Sequence, residues 1–240
     1  MPSSKRRGKL TDRMNRKDII VFDFETGSRN PHKTQAIQIA AVAIHGRNLT
    51  VQPDGYFESL IRPELDDDKA IEMGVDPIED GALAVNKKTR EELKDAPLPK
   101  VVWEKFTEFV NRYNWKGTPY YAPIAAGYNI NGFDMPIVER LCQQYGPINK
   151  KTGKQCLFDK IHRLDLMDTV WMWMENNPDV NRIGMDSMRE LMGMDTTNAH
   201  DALQDVKDTA NMMIGFMKLH RRFAPQIRFE KAFADGKTHL

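Results

Sequence analysis

Long hydrophobic runs are missing from this 240-residue sequence. No apolar stretch approaches the roughly 20 residues that a membrane-spanning helix needs. The basic N-terminus also lacks the apolar segment of a secretory signal. Cysteine occurs only at Cys142 and Cys156, and without a second pair of Cys or His nearby their spacing is not that of a zinc site. Such low cysteine usage is typical of a reducing compartment, so we expect a soluble, cytoplasmic protein that does not contact a membrane.

The chain also has almost no net charge, because 35 basic side chains are balanced by 34 acidic ones. This balance excludes a protein that binds nucleic acid through its overall charge, so any such binding needs a local basic patch or a metal ion. The basic side chains are concentrated at the N-terminus, where residues 1–17 have a charge of about +6 and the rest of the chain about −5.

The most informative stretch is a run of apolar residues that leads into two carboxylates, residues 19–27 (IIVFDFETG). Its length and its bounding turn residues predict a buried central strand. Residues i and i+2 of a strand point to the same face, so Asp23 and Glu25 project together. Neighbouring carboxylates that lose hydration stay ionised only beside a cation, and hard oxygen donors suit Mg²⁺ or Mn²⁺. The alternative is that both are ordinary residues at a solvated strand end.

The remaining pattern predicts an α/β fold with a central mixed sheet flanked by helices. Two further β-compatible runs, 35–45 and 56–62, follow with short connections, which favours an antiparallel meander. A small-residue strand at 123–128 then precedes a helix at 134–145, which favours parallel strands in the second half. Other helices are predicted at 99–113, 164–175, 187–192 and 202–221, with short helical pieces across 64–96.

Domain organisation follows from the absence of repeats and low-complexity linkers inside residues 18–222, which we expect to form one domain. Residues 1–17 are predicted to be a basic flexible tail. An arm that seeks phosphate groups is the alternative for this segment. Residues 223–240 are polar and interrupted by proline, and they are predicted to form a C-terminal tail.

A further acidic position lies where the strand at 123–128 gives way to the next helix. Asp134 ends the run GYNINGFD at the carboxyl end of that strand, where open α/β sheets bind their ligands. Asn129 can hydrogen-bond backbone or substrate, and Phe133 offers a ring that can stack on a base. The alternative for Asp134 is that it caps the helix, a role that Pro136 in the first turn also fits. Capping and metal binding can coexist.

A histidine and two aspartates fall near the start of the last predicted helix, in NAHDALQDV. Residues five apart on a helix are ~140° out of phase, so His200 and Asp205 act together only if His200 lies in the preceding loop. Asp201 and Asp205, at i and i+4, share a helix face instead. Asp201-x-x-Gln204 also has the form of an N-cap pair. Spacing alone leaves open which aspartate binds a metal ion.

Together these stretches resemble the three motifs of the DEDDh group of DnaQ-like 3′→5′ exonucleases, which share the ribonuclease H-like fold. The matching residues are Asp23-x-Glu25-Thr26-Gly27, Asn129-x-x-x-Phe133-Asp134 and His200-x-x-x-x-Asp205. They occur in the order of the family, and the resemblance covers about residues 18–222. The residues around the third motif are most similar to those of the bacterial exonuclease I branch.

The resemblance implies a metal-dependent hydrolase with two ions, Mg²⁺ or Mn²⁺, in its site. The implied metal-binding and catalytic acids are Asp23, Glu25, Asp134 and Asp205. The resemblance also implies that His200 is the general base and that Asp201 is a bystander. The implied substrate-binding residues are Thr26 and Gly27 at the 3′-terminal nucleotide, together with Asn129 and Phe133.

The expected substrate is the 3′ end of a nucleic acid, with DNA favoured over RNA and single strands expected. The products would be nucleoside 5′-monophosphates. The main alternative is an exoribonuclease, which would use the same acids and differ in contacts to the 2′-hydroxyl. A proofreading or nucleic-acid-binding subunit associated with a polymerase is a second alternative, although no residue indicates a polymerase partner.

We predict that His200→Ala slows hydrolysis by about 10²–10⁴-fold without preventing substrate binding, because the variant lacks a group that takes a proton from the attacking water. Single-turnover rates and substrate dissociation constants, measured side by side, would test this. His32→Ala is the control, since no chemistry is assigned to His32. A His200→Ala rate equal to that of the unmodified protein would contradict the assignment.

Overall fold

The computed structural model describes residues 17–195 and 201–226, and these ranges fold around a five-stranded sheet. The strands are β1 (Ile19–Thr26), β2 (Ala36–His45), β3 (Thr50–Leu60), β4 (Ile124–Gly127) and β5 (Arg163–Asp165). Their order across the sheet is β3-β2-β1-β4-β5. β1 pairs antiparallel with β2 and parallel with β4, so it is the central strand. The predicted mixed sheet, a meander followed by parallel strands, is confirmed.

Helices surround this sheet in the described part of the chain. They are α1 (Asp67–Glu72), α2 (Asp80–Val85), α3 (Arg90–Asp95), α4 (Pro99–Asn111), α5 (Asp134–Tyr145), α6 (Leu166–Met174), α7 (Met185–Leu191) and α8 (Ala202–Phe223). A 3₁₀ turn, Ala224–Gln226, follows α8. In the ranges that the structure describes, no helix combines the length and the apolar character needed to cross a bilayer. Residues 1–16 and 227–240, which hold most of both predicted tails, lie outside the described residues.

The alternation of side chains along β1 determines where its carboxylates point. Phe22 and Phe24 pack in one core with residues of α4 and α5. Ile19 and Val21 pack in a second core with residues of α6, α7 and α8. Since successive strand residues alternate between faces, the odd-numbered Asp23 continues the α8 side of the sheet. The two large hydrophobic clusters thus fix the direction of the acidic pair.

Two predicted elements were wrong in detail. β3 begins at Thr50 instead of 56, because the strand passes through a Pro-Asp-Gly stretch that reads as a turn, and its pairing with β2 shifts between Val42 and Ile44. Residues 163–165 form β5, although the helical spacing had been extended back to 164. A three-residue strand is too short to show the alternation of apolar and polar residues that marks a strand. The sequence pattern therefore assigns its apolar residue, Leu164, to the helix that follows.

Gly27 directly follows β1, at a point where the structure has little room for a side chain. A Cβ atom at this position would lie 2.2 Å from Cδ1 of Ile78. The Gly27 N–H donates to the carbonyl of Gln35 at 2.9 Å, and the Gly27 carbonyl accepts from the N–H of Glu79 at 2.8 Å. A side chain at this position would displace the end of Ile78, and the two hydrogen bonds of Gly27 fasten the end of β1 to the segment before α2.

Gly27→Ala is expected to lower the free energy of unfolding by about 1–3 kcal/mol, because the new methyl group overlaps Ile78. In the Ile78→Val background, which lacks Cδ1, the same substitution should cost clearly less. Urea unfolding of the four proteins measures both effects. Gly81→Ala, in α2 with no atom within 4 Å of the added methyl, is the control. Equal costs in the two backgrounds would show that the Ile78 contact is not the cause.

Candidate functional site

The four acids predicted as a set lie near one another beyond the middle of β1. Asp23 and Glu25 project from β1 towards the α8 side of the sheet. Asp205 lies in the first turn of α8, and its negative charge acts on both of them. Asp134 is the first residue of α5, and it is influenced by the charges of Asp23 and Glu25. The fold therefore brings residues from three distant parts of the chain close enough for their charges to influence one another. We call these four residues the acidic group.

Burial and mutual repulsion keep protons on this group. Burial, followed by the charge of Asp205, raises the pKa of Asp23 to about 7. Burial, followed by the charges of Asp23 and Asp205, raises the pKa of Glu25 to about 8. Burial, followed by the charge of Asp23, raises the pKa of Asp134 well above its ordinary value. Asp23 and Glu25 therefore hold protons near neutral pH, and a bound cation would favour the charged forms of the acids.

Asp134 is held by the backbone of the site strand. Its Oδ1 accepts a hydrogen bond from the N–H of Phe24 at 3.0 Å, and its side chain is almost completely buried. Phe133, not Asp134, occupies the N-cap position of α5, and it makes no side-chain cap. The bond to Phe24 ties α5 to β1 between the two carboxylates of the strand. The capping alternative for Asp134 is thus replaced by a contact that places it in the acidic group.

Asp205 is paired with an arginine that the sequence pattern did not single out. Nη2 of Arg189 donates to Oδ1 of Asp205 at 2.6 Å. Nε of Arg189 donates to Asp208 at 2.9 Å, and Nη1 donates to Asp186 at 3.1 Å. Arg189 is 0% exposed, and its positive charge opposes the rise in the pKa of Asp23. A buried arginine on a short helix with polar neighbours leaves no periodic signal, which is why the spacing did not reveal it.

Asp201 has the local role that its spacing indicated. It is the N-cap residue of α8, and its side chain accepts from the N–H of Gln204 at 3.0 Å. The N-cap pair is therefore confirmed. Asp205, one turn further on, pairs with Arg189, as does Asp208. Of the two alternatives that spacing left open, Asp205 has the stronger electrostatic link to the strand acids, since it acts on both Asp23 and Glu25.

The loop between β4 and α5 presents two of the predicted substrate-binding residues. Asn129 is exposed with a φ of 57°, and Phe133 is half-buried. The carboxylate of Asp165 accepts from the N–H of Asn129 at 2.9 Å and from the N–H of Asn131 at 3.1 Å. It also caps α6 by accepting from the N–H of Met167. One buried side chain thus fixes the backbone of the loop, while the contact of Asn129 and Phe133 with substrate stays a prediction.

The other two predicted substrate-binding residues are buried at the end of β1, where Thr26 is its last residue and Gly27 follows it. Thr26 is 7% exposed, and its hydroxyl donates to the carbonyl of Ser28 at 2.8 Å. The carbonyl of Thr26 accepts from Nδ2 of Asn86 at 3.1 Å. Together with the packing of Gly27, these bonds give both residues a structural role. Their contact with a 3′-terminal nucleotide stays a prediction.

The described residues show both limits and support for metal binding at the acids. Within residues 17–195 and 201–226, no group of three or more His, Cys, Asp or Glu side chains is arranged so that it could hold a metal ion. The donor chemistry nevertheless fits a hard divalent cation, because the group offers carboxylate oxygens whose raised pKa values mark a deficit of positive charge. His200 lies outside the described residues, so its role as a base stays a prediction.

Comparison with known proteins identifies the family to which the sequence belongs. The sequence profile of the family described as exonuclease (RNase_T) matches residues 20–213. A PolC-type DNA polymerase III from Caldanaerobacter subterraneus subsp. tengcongensis is 22% identical over 201 residues, which are 84% of this chain and 12% of that protein. The match thus spans only a small part of the polymerase.

Solved structures show the same fold. Exonuclease I from E. coli, in complex with a dT13 oligonucleotide, matches with a TM-score of 0.66 and 17% identity over 88% of this chain and 43% of its own. Cell-death related nuclease 4 (CRN-4) matches with a TM-score of 0.63 and 15% identity over 85% of this chain and 65% of its own. The chain spans less than half the length of that exonuclease I.

We predict that the metal-free protein loses stability as the pH rises from about 5 to about 8. In the unfolded chain Asp23 and Glu25 lose their protons near their ordinary pKa values of 3.8 and 4.5, whereas in the folded protein they hold them until about 7 and about 8. The folded state binds more protons throughout this window, so each increase in pH lowers the free energy of unfolding.

Urea unfolding at pH 5.5 and pH 8, with a chelator present, measures this loss. Glu25→Gln should reduce the difference between the two pH values, and Glu91→Gln, on the exposed face of α3, should leave it unchanged. Addition of Mg²⁺ at pH 8 should restore stability. A free energy of unfolding that stays constant or rises between the two pH values would contradict the prediction.

Proposed function

Because the chain belongs to the RNase_T exonuclease family, we propose that it is a metal-dependent 3′→5′ exonuclease that releases nucleoside 5′-monophosphates. The observation that supports this most directly is the convergence of Asp23, Glu25, Asp134 and Asp205, whose charges act on one another. A protein that only binds nucleic acid gains nothing from carboxylates that repel both each other and a phosphate. A hydrolase gains a site for cations.

The four acids would hold two ions, Mg²⁺ or Mn²⁺. Bound ions of this kind lower the pKa of a water ligand and neutralise charge on the phosphate and the leaving oxygen. His200, as a histidine with an ordinary pKa of about 6.5, accepts the proton of the attacking water near neutral pH. Hydrolysis breaks the bond between phosphorus and the 3′-oxygen of the penultimate nucleotide, and the terminal nucleotide leaves with a 5′-phosphate.

The residues around the acids supply the substrate contacts in this proposal. The exposed amide of Asn129 can hydrogen-bond a nucleotide, and the ring of Phe133 can stack on a base. Thr26 and Gly27 border the same end of β1, where their backbone and buried packing shape the position of the 3′-terminal nucleotide. The loop that presents Asn129 is fixed by Asp165, so these contacts would be made by a preorganised surface.

Single-stranded DNA is the substrate that we favour, because a structural neighbour, E. coli exonuclease I, was solved with dT13. The low cysteine content supports a cytoplasmic location. The likeness to a PolC-type DNA polymerase III supports a second candidate, a proofreading activity that works beside a polymerase. An exoribonuclease would use the same acids, so the sugar preference has to be measured.

The test offers 5′-labelled single-stranded DNA, duplex DNA and RNA to the protein with Mg²⁺, Mn²⁺ or EDTA. We expect a ladder of progressively shorter labelled products from single-stranded DNA with either metal, and no cleavage with EDTA. Asp23→Ala and Asp205→Ala should abolish cleavage, while Asp168→Ala, which alters an exposed acid outside the group, should not. Immediate release of the labelled nucleotide, or cleavage by Asp23→Ala at the unmodified rate, would refute the proposal.

A further inference from the structure

Arg189 connects the proposed metal site to the interior of the protein. It lies on α7 and is 0% exposed, and three of its nitrogens donate to three different carboxylates. The shortest of these bonds, at 2.6 Å, goes to Asp205. Asp208 lies one turn after Asp205 on α8, so both point towards α7 and the planar guanidinium bridges them.

The three carboxylates that bind Arg189 differ in their surroundings. Asp208 is buried, and it is itself held by Nε2 of Gln204 at 2.8 Å. Asp186 is largely exposed and only three residues away on the same helix. A buried ion pair gives little net stability compared with apolar residues of similar volume. The bond to Asp205 therefore calls for an explanation other than the stability of the fold.

The position of Asp205 supplies that explanation. Asp23 and Glu25 are fixed by the sheet, and Asp134 is fixed by its bond to the N–H of Phe24. Asp205 projects from a helix, where a short side chain can rotate between staggered rotamers. A planar donor that is itself anchored on Asp208 restricts that rotation, whereas a lysine, with a single flexible ammonium group, would restrict it less.

We propose that Arg189 is a positioning residue that holds the carboxylate of Asp205 in place relative to Asp23 and Glu25 and thereby sets the affinity of the site for a divalent cation. This inference rests on the proposed function, because it assumes that Asp205 is a metal ligand. Arg189 itself does not touch the cation or the substrate. Its bond to Asp205 carries the positioning, and its charge also acts on Asp23.

The test compares three single variants by calorimetric titration of the chelator-treated protein with Mn²⁺ in the absence of nucleic acid. Arg189→Met, which keeps the apolar stem and removes the donors, should weaken Mn²⁺ binding by about 10–100-fold. Arg189→Lys should give an intermediate loss. Asp186→Asn is the matched control: it removes the charge of the exposed partner of the same arginine and should change the Mn²⁺ affinity by less than about 3-fold, since the bonds to Asp208 and Asp205 remain.

Arg189→Met leaves the buried charge of Asp208 without a positive partner, although its bond from Gln204 remains, so we expect this variant to have a lower melting temperature. The double variant Arg189→Met/Asp208→Leu removes both buried charges and should recover the melting temperature. It should still bind Mn²⁺ weakly. In nuclease assays its half-maximal Mg²⁺ concentration should rise while the rate at saturating Mg²⁺ falls much less.

The outcomes separate this inference from the proposed function. If the unmodified protein binds Mn²⁺ and Arg189→Met binds it equally well, positioning by Arg189 is wrong while the exonuclease proposal stands. The same holds if Mn²⁺ affinity returns with stability in the double variant, because the arginine would then act on the fold alone. If the unmodified protein binds no Mn²⁺ and cleaves no substrate, both proposals are refuted.

Discussion

Repulsion among carboxylates gathered beside one strand is the constraint on which the rest of this structure depends. Asp23 and Glu25 belong to the central strand of the sheet, and Asp134 and Asp205 join them from two helices. Asp134 is buried and the other three are half-buried, and partly desolvated charges of one sign destabilise the fold unless they are neutralised. The protein uses several means at once: protons retained near neutral pH, a backbone N–H that donates to Asp134, and the buried guanidinium of Arg189. A cation would complete the compensation.

The ordinary pairing of the strands is enough to place the carboxylates and the loop after β4. Antiparallel pairing of β1 with β2 on one side and parallel pairing with β4 on the other put the acidic strand at the centre. The alternation of Phe22 and Phe24 with Asp23 and Glu25 sends apolar rings to one core and carboxylates to the opposite face. The parallel arrangement then brings the loop after β4 to the same end of the sheet, where it presents Asn129. Packing, more than any bond between the acids, therefore creates the site.

Features encoded by local spacing could be predicted, and features that depend on distant partners could not. The shared face of Asp23 and Glu25 follows from the strand period, the α5 helix at 134–145 was located correctly, and the cap at Asp201 follows from its distance to Gln204. The bond from Phe24 to Asp134 joins residues 110 positions apart, and no local pattern encodes such a bond. Arg189 was missed for the same reason, because its burial depends on α8 and not on its own helix.

Asp165 has a consequence for how this protein can diverge from its relatives. The same carboxylate accepts from two N–H groups of the loop after β4 and from the first turn of α6. A mutation that altered the path of this loop would also uncap the helix, so the two cannot change independently. Evolutionary change in this loop is thereby confined to the identity of its outward side chains, such as Asn129, on a backbone that stays constant. In related chains, substitutions should accordingly be rare at Asp165 and more frequent among the outward side chains of the loop after β4.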